Sequence, residues 1–174
     1  MKNKALFLDR DGIVNEDIGK YVIDFSQIKF NAPIFDITRL ARQKGYLVII
    51  ITNQAGISRG IQEAEEVEII HECISNEFLK RNISIASFYY CPHHPAFSKC
   101  FCRKPGTLNF EKAIAKFSIE AKRSLMIGDN IRDIIPAKEL GIKTMLIHPE
   151  KSEICDFQFS QLENAKQTIA KLLN

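Results

Sequence analysis

Leu47-Val48-Ile49-Ile50-Ile51-Thr52-Asn53 is apolar at five consecutive positions, odd and even alike, and then turns polar. Such a run buries both faces of a strand, the mark of a central strand in a parallel sheet covered by helices on both sides. Outward from it, Ala5 to Leu8, Ser87 to Tyr90, Ser124 to Ile127 and Lys143 to Ile147 read as further strands. Ile34 to Lys44, Glu63 to Lys80, Asn109 to Phe117, Ile131 to Leu140 and Gln161 to Leu173 read as helices. Strands alternating with helices predict an α/β fold with a doubly wound, Rossmann-like parallel sheet. Gly45 and Gly141 each close a helix and precede a strand, where a left-handed cap suits glycine. The segment from Glu150 onward reads as a last short strand and helix carrying no site residue.

A length of 174 residues fits one domain spanning 1–174 with a sizeable core. The net charge is only +3, with Lys and Arg dispersed, so composition gives no reason to expect nucleic acid as a partner. A small anionic substrate remains compatible. Met1-Lys2-Asn3-Lys4 runs at once into a strand, too early for a signal-peptide core, and no apolar run approaches the ~20 residues of a membrane helix. The expectation is a cytoplasmic protein with no membrane partner, a setting in which clustered cysteines serve as metal ligands rather than disulfides.

Such a cluster is present. Cys91, His93, Cys100 and Cys102 lie in the stretch Cys-Pro-His-His-Pro-Ala-Phe-Ser-Lys-Cys-Phe-Cys. Two short pairs, Cys-x-His and Cys-x-Cys, can supply the four soft corners that Zn2+ requires. With no corner left for water, this predicts a structural metal stapling a loop. The competing reading is a disulfide pair or reduced residues without a metal. His94 has the weaker claim to a role, and Cys73 and Cys155, in apolar stretches, are expected to be buried free thiols.

In open parallel sheets, ligands bind beyond the carboxyl ends of the strands. Here those ends carry Asp9-Arg10-Asp11, Thr52-Asn53-Gln54 and Gly128-Asp129. Two carboxylates two positions apart suit covalent phosphoryl transfer, one attacking phosphorus while the other reaches the leaving oxygen. The attacking charge would repel a phosphate dianion, so a hard cation such as Mg2+ is needed, with Asp129 placed as a second metal carboxylate. Asp133, one turn further, can hold Lys104 or a metal-bound water, while Lys104 and the Thr52 hydroxyl supply fixed positive charge and a directed donor. Each acidic residue taken alone is better read as a helix cap or a turn residue. Their joint placement at strand ends favours chemistry.

At these positions the chain resembles the haloacid dehalogenase superfamily of phosphatases over nearly its whole length. Phe7-Leu8-Asp9-Arg10-Asp11-Gly12 is similar to its first motif, Ile51-Thr52-Asn53 to its second, Arg103-Lys104-Pro105 to its third, and Gly128-Asp129 with Asp133 to its fourth. The resemblance implies Asp9 as nucleophile, Asp11 as general acid and then base, and Mg2+ on the Asp9 and Asp129 carboxylates and the Asp11 carbonyl. Within the superfamily, Thr52-Asn53-Gln54-Ala55-Gly56-Ile57-Ser58-Arg59-Gly60 and the Cys-Pro-His-His-Pro loop resemble the D-glycero-D-manno-heptose-1,7-bisphosphate 7-phosphatases. These make a heptose precursor for lipopolysaccharide cores or surface-layer glycans. The sister histidinol-phosphatases share a zinc loop, and a histidinol-phosphate or other sugar-phosphate phosphatase is the alternative. The resemblance further implies that Thr52 and Lys104 bind the transferring group, that Arg103 recognises substrate, and that Asn53, Gln54, Ala55 and Asn130 line the pocket. The family expectation is a monomer acting on a small phosphorylated sugar.

Three departures bear on the substrate more than on the reaction. Ile13 stands where threonine is usual, Gly106 follows Pro105 at once, and Asp17-Ile18-Gly19-Lys20-Tyr21 carries one extra residue. About forty residues separate the first two motifs and about fifty the next two, all used by core elements, which leaves no room for a separate cap domain. Specificity then falls to loops: Asn15 to Asn31, Gln54 to Gly60 and the zinc loop. Two other classes share part of the pattern. A zinc-binding recruitment module has no need of Asp9, Asp11, Lys104 and Asp129, whereas a phosphotransferase shares them all.

Overall fold

The computed structural model describes residues 2–173. Six parallel strands form one sheet: β1 (Lys4–Leu8), β2 (Tyr46–Asn53), β3 (Ile85–Cys91), β4 (Leu125–Gly128), β5 (Lys143–Ile147) and β6 (Phe157–Phe159). Their order is β3-β2-β1-β4-β5-β6, so the chain reverses its winding between β1 and β4. The period of two decides which residues face which layer. Leu6, Leu8, Val48, Ile50 and Ile127 join one apolar cluster, and Ala5, Phe7, Ile49, Ile51 and Met126 join the other.

Helices cover both faces. The larger cluster takes Ile34, Ile37 and Ala41 of α1 (Pro33–Gln43), Ile70, Ile74 and Phe78 of α2 (Ala64–Leu79), and Ala165 and Ile169 of α5 (Leu162–Leu172). The smaller one takes Phe110 and Ala113 of α3 (Leu108–Phe117) and Ala137 of α4 (Ile131–Glu139). The doubly wound α/β expectation therefore holds. Element ends lie within about two residues of those read from the sequence, the ordinary slack at fraying termini. Gly45 and Gly141 have φ of 79° and 75°, the left-handed caps expected of them. Among the described residues no helix is long and apolar enough to cross a membrane.

Two expectations need correction. Cys73 and Cys155 are half-buried rather than buried. Cys73 lies off the α2 face that Val67, Ile70, His71, Ile74 and Phe78 turn inward, and Cys155 sits in the loop before β6. The departure at Ile13 has a packing explanation: the side chain is fully buried in the larger cluster, where a hydroxyl would need a partner.

The segment between β1 and α1, and the first turn of α1 itself, are docked by aromatic rings. Phe78 of α2 meets Phe30 at 5.9 Å and Phe35 at 4.8 Å between ring centroids. Phe78→Ala should cost about 3–5 kcal/mol in urea unfolding, the range for an aromatic core truncation. A loss under about 1 kcal/mol would show that this docking contributes little.

Candidate active site

Polar side chains converge at the carboxyl edge of the sheet, where β1 and β4 part. Lys104 is buried, and its ammonium meets three oxygens: the Ile51 carbonyl of β2 at 2.7 Å, Asp9 Oδ1 at 2.8 Å and Asp133 Oδ1 at 2.7 Å. One hydrogen bond and two ion pairs thus surround the buried charge. Asn53 holds the Lys104 backbone from both sides, accepting from its N–H at 3.0 Å and donating to its carbonyl at 3.1 Å. Asp133 arrives through the α4 N-terminus, where Asn130 accepts from the Arg132 N–H and Asp133 accepts from the Asn130 N–H. Gly12 and Gly128 leave the space this requires. A Cβ at Gly12, whose φ is 88°, would run into the Asp129 carboxylate, and one at Gly128 into Asp133.

The electrostatics are unbalanced, with three carboxylates around one ammonium. Burial, then repulsion from Asp133, pushes the Asp9 carboxyl up to about 8, with Lys104 only partly opposing. Burial and Asp133 likewise push Asp129 up to about 6. Burial opposes the charge on Lys104, but Asp133 and Asp9 outweigh it and hold its pKa above the ordinary lysine value. Asp129 Oδ1 is buried without a hydrogen-bond partner among the described residues, and one oxygen each of Asp9, Asp129 and Asp133 lie within 4.8 Å of one another. Excess negative charge and an orphaned oxygen fit a hard divalent cation held by carboxylates.

Beside this cluster, Asp11 accepts from Arg10 Nε at 3.1 Å and Nη2 at 2.8 Å, from Asn15 Nδ2 at 3.0 Å and from Gln54 Nε2 at 3.1 Å. Burial raises its pKa, but these donors outweigh it and hold Asp11 below the usual carboxylate range. The Gln54 amide also donates to Thr52 Oγ1 at 2.8 Å, linking Asp11 to the end of β2. Ala55 is buried against the same turn. The amides of Asn53 and Gln54 and the side chain of Asn130 are thus engaged with the protein itself, as clamp, bridge and helix cap. Sequence reasoning assigned no part to Arg10, Asn15 or His71, although a charged residue between two aspartates after a buried strand was a signal for Arg10.

The predicted metal loop begins where β3 ends, at Cys91. Cys91 Sγ lies 3.6 Å from His93 Nδ1, 3.6 Å from Cys100 Sγ and 3.2 Å from Cys102 Sγ, and His93 Nδ1 lies 3.3 Å from Cys102 Sγ. A tetrahedral zinc with Zn–S near 2.3 Å implies edges of roughly 3.8 Å, whereas a disulfide needs about 2.05 Å. The four atoms form a compact ligand set and are not disulfide-bonded. Burial first, then the neighbouring thiols, holds the Cys91 thiol far above its ordinary value, a state that a soft cation would relieve. His94 stands outside the set, its ring 5.4 Å from that of Phe97. Arg103 donates to the His93 carbonyl at 3.2 Å, and Gly106 rests on the Phe101 carbonyl with no room for a side chain, so the loop fixes the approach to Lys104.

A winding reversal in a parallel sheet, with paired aspartates and a buried lysine at its carboxyl edge, is the arrangement of a phosphoryl-transfer site. A family model described as HAD-hydrolase-like matches residues 101–171. The chain is 37% identical over 169 residues to the D-glycero-alpha-D-manno-heptose-1,7-bisphosphate 7-phosphatase of Campylobacter jejuni, covering 97% of this chain and 95% of that protein. It is 34% identical over 168 residues to the D-glycero-beta-D-manno-heptose-1,7-bisphosphate 7-phosphatase of Helicobacter pylori, covering 96% and 95%. Among solved structures, the D,D-heptose 1.7-bisphosphate phosphatase from B. bronchiseptica, complexed with magnesium and phosphate, superposes with a TM-score of 0.85. That match has 22% identity and covers 97% of this chain and 99% of the other, a likeness of fold. The chain belongs to the D-glycero-D-manno-heptose-1,7-bisphosphate 7-phosphatase family of haloacid dehalogenase-like hydrolases, and it is a phosphoric monoester hydrolase.

The raised Asp9 and Asp129 values mean that the cation-free site holds protons a divalent cation must displace. Affinity for the cation should rise with pH between about 6 and 8 and then level, with about one proton released per ion at pH 7. Calorimetry in buffers of different ionisation enthalpy counts that proton. Binding without proton release would contradict the charge balance described.

Proposed function

We propose that the chain hydrolyses the 7-phosphate of D-glycero-D-manno-heptose 1,7-bisphosphate through an aspartyl-phosphate on Asp9, in the cytoplasm, as one phosphatase domain. The observation that carries the reaction is the state of Asp9. Its Oδ1 takes both the Lys104 ammonium and the Arg10 N–H at 2.7 Å, so Oδ2 is the oxygen with no protein donor among the described residues. Asp9 Oδ2 attacks phosphorus as the bond to the sugar oxygen breaks; the phosphate charge arriving beside Asp11 opposes its ionisation, so Asp11 takes a proton from solvent as substrate binds and gives it to that oxygen. Asp11 then takes a proton from water, which attacks the same phosphorus and releases phosphate from Asp9. Lys104 and Thr52 hold the transferring oxygens, and Arg103, carried by the zinc loop, faces the rest of the substrate. Mg2+ on the Asp9 and Asp129 carboxylates and the Asp11 carbonyl would neutralise the charge that otherwise keeps Asp9 and a phosphate apart. Zn2+ on Cys91, His93, Cys100 and Cys102 would stiffen the loop. The choice of substrate is supported by the full-length relatives, and the product would feed heptose precursor synthesis of the lipopolysaccharide kind.

The test is phosphate release with Mg2+ present, comparing both anomers of the heptose bisphosphate with histidinol phosphate. Preference for a heptose anomer is expected, whereas preference for histidinol phosphate would overturn the substrate while sparing the mechanism. Asp9→Asn should lower turnover by at least about 10³-fold with zinc content and melting temperature retained. Turnover that survives this change would exclude Asp9 as nucleophile. Chelating the zinc should lower both activity and melting temperature, and a zinc-free protein unchanged in both would refute the staple.

A further inference from the structure

Arg10 heads the fully buried side chains by volume, yet the reaction as written gives its guanidinium no task. Its Nε and Nη2 meet the two oxygens of Asp11 at 3.1 and 2.8 Å, a parallel fork that fixes the plane of the carboxylate as well as its place. The remaining nitrogen, Nη1, lies 3.4 Å from His71 Nε2. Guanidinium cannot accept a hydrogen bond, so His71 Nε2 must be the acceptor and its proton sits on Nδ1. Burial first, then the Arg10 charge, pushes His71 down to about 3, which keeps the ring neutral. The ring is itself held, stacked on Phe88 of β3 at 4.5 Å and edge-on to Tyr90 at 5.7 Å. A rigid path therefore runs from β3 through α2 to Arg10 and Asp11. From the other side, Asn15 and Gln54 complete the grip.

Stability alone does not account for this arrangement. Taking an arginine out of water costs several kcal/mol that a single ion pair seldom returns, and the Asp11 side chain keeps 30% of its surface exposed. A fork directed at a partly open carboxylate serves orientation. We propose that Arg10, braced by His71, is a positioning residue that aims the Asp11 carboxylate at the leaving oxygen. The proposal rests on the acid and base role given to Asp11 above.

The leaving group separates this role from a purely structural one. A sugar alkoxide needs a proton as it departs, whereas p-nitrophenolate does not, and kcat/KM reports the step in which the leaving group goes. Arg10→Lys keeps the charge and loses the fork; His71→Leu loses the acceptor, and His71→Gln keeps one. Arg10→Lys and His71→Leu should each lower kcat/KM for the heptose bisphosphate by about 10–100-fold, part of what a general acid contributes, and change p-nitrophenyl phosphate by less than about threefold. His71→Gln should recover most of the loss. Equal falls on both substrates, or no fall on either, would overturn the proposal. Asp11→Asn, measured alongside, separates the two layers. If it lacks the leaving-group selectivity, the acid and base reading fails and the positioning role with it; if it shows the selectivity and the Arg10 and His71 variants do not, the positioning role alone fails.

Discussion

The buried ammonium of Lys104 is the contact on which the site depends. It meets Asp9 after β1, the Ile51 carbonyl of β2 and Asp133 of α4, so one group ties together the elements on both sides of the winding reversal. Desolvating such ions costs several kcal/mol each, and removing one partner of a buried pair typically costs about 3–5 kcal/mol. The cluster therefore stands only as a whole. Its geometry also makes the two oxygens of Asp9 unequal: Oδ1 faces Lys104 and the Arg10 N–H, and Oδ2 has no protein donor among the described residues.

Two further constraints follow from that contact. Lys104 must reach inward from a loop, and the loop is fixed by the Asn53 clamp on its backbone and by the Cys91-His93-Cys100-Cys102 set just before it. The carboxylates must also crowd together without a side chain intervening, which is why positions 12 and 128 are glycine. Burial first, then the crowded charge, raises Asp9 and Asp129, and one Asp129 oxygen has no hydrogen-bond partner among the described residues. Folding thus supplies an acidic hollow suited to a divalent cation, while the zinc-type set some residues away is built from softer donors suited to a different metal.

Much of this was legible in the sequence, for identifiable reasons. Strands apolar on both faces, such as Leu47 to Ile51, announce a covered parallel sheet, and polar residues just after them mark the edge where ligands bind. The ligand spacing of the metal loop was equally direct. Partners distant in sequence were not legible: nothing local in Asn53 says that its amide clasps a backbone fifty-one positions away. Nor does the stretch from Asn15 to Asn31 show a period, although Phe25 and Phe30 within it pack against the main cluster. Arg10 and His71 escaped because each looks ordinary alone, a turn arginine and a residue on the inner face of a helix. Their contact exists only once α2 lies on the sheet.

The central claim is that Asp9, positioned by Lys104, carries the phosphoryl group. A single turnover with heptose bisphosphate, quenched in acid and digested for mass spectrometry, tests it most directly. The account predicts a transient phosphate on the peptide containing Asp9, formed before phosphate release is complete and absent from Asp9→Asn. Full release of phosphate in that turnover with no labelled peptide at any time would mean that water attacks the substrate directly and that Asp9 serves only the cation.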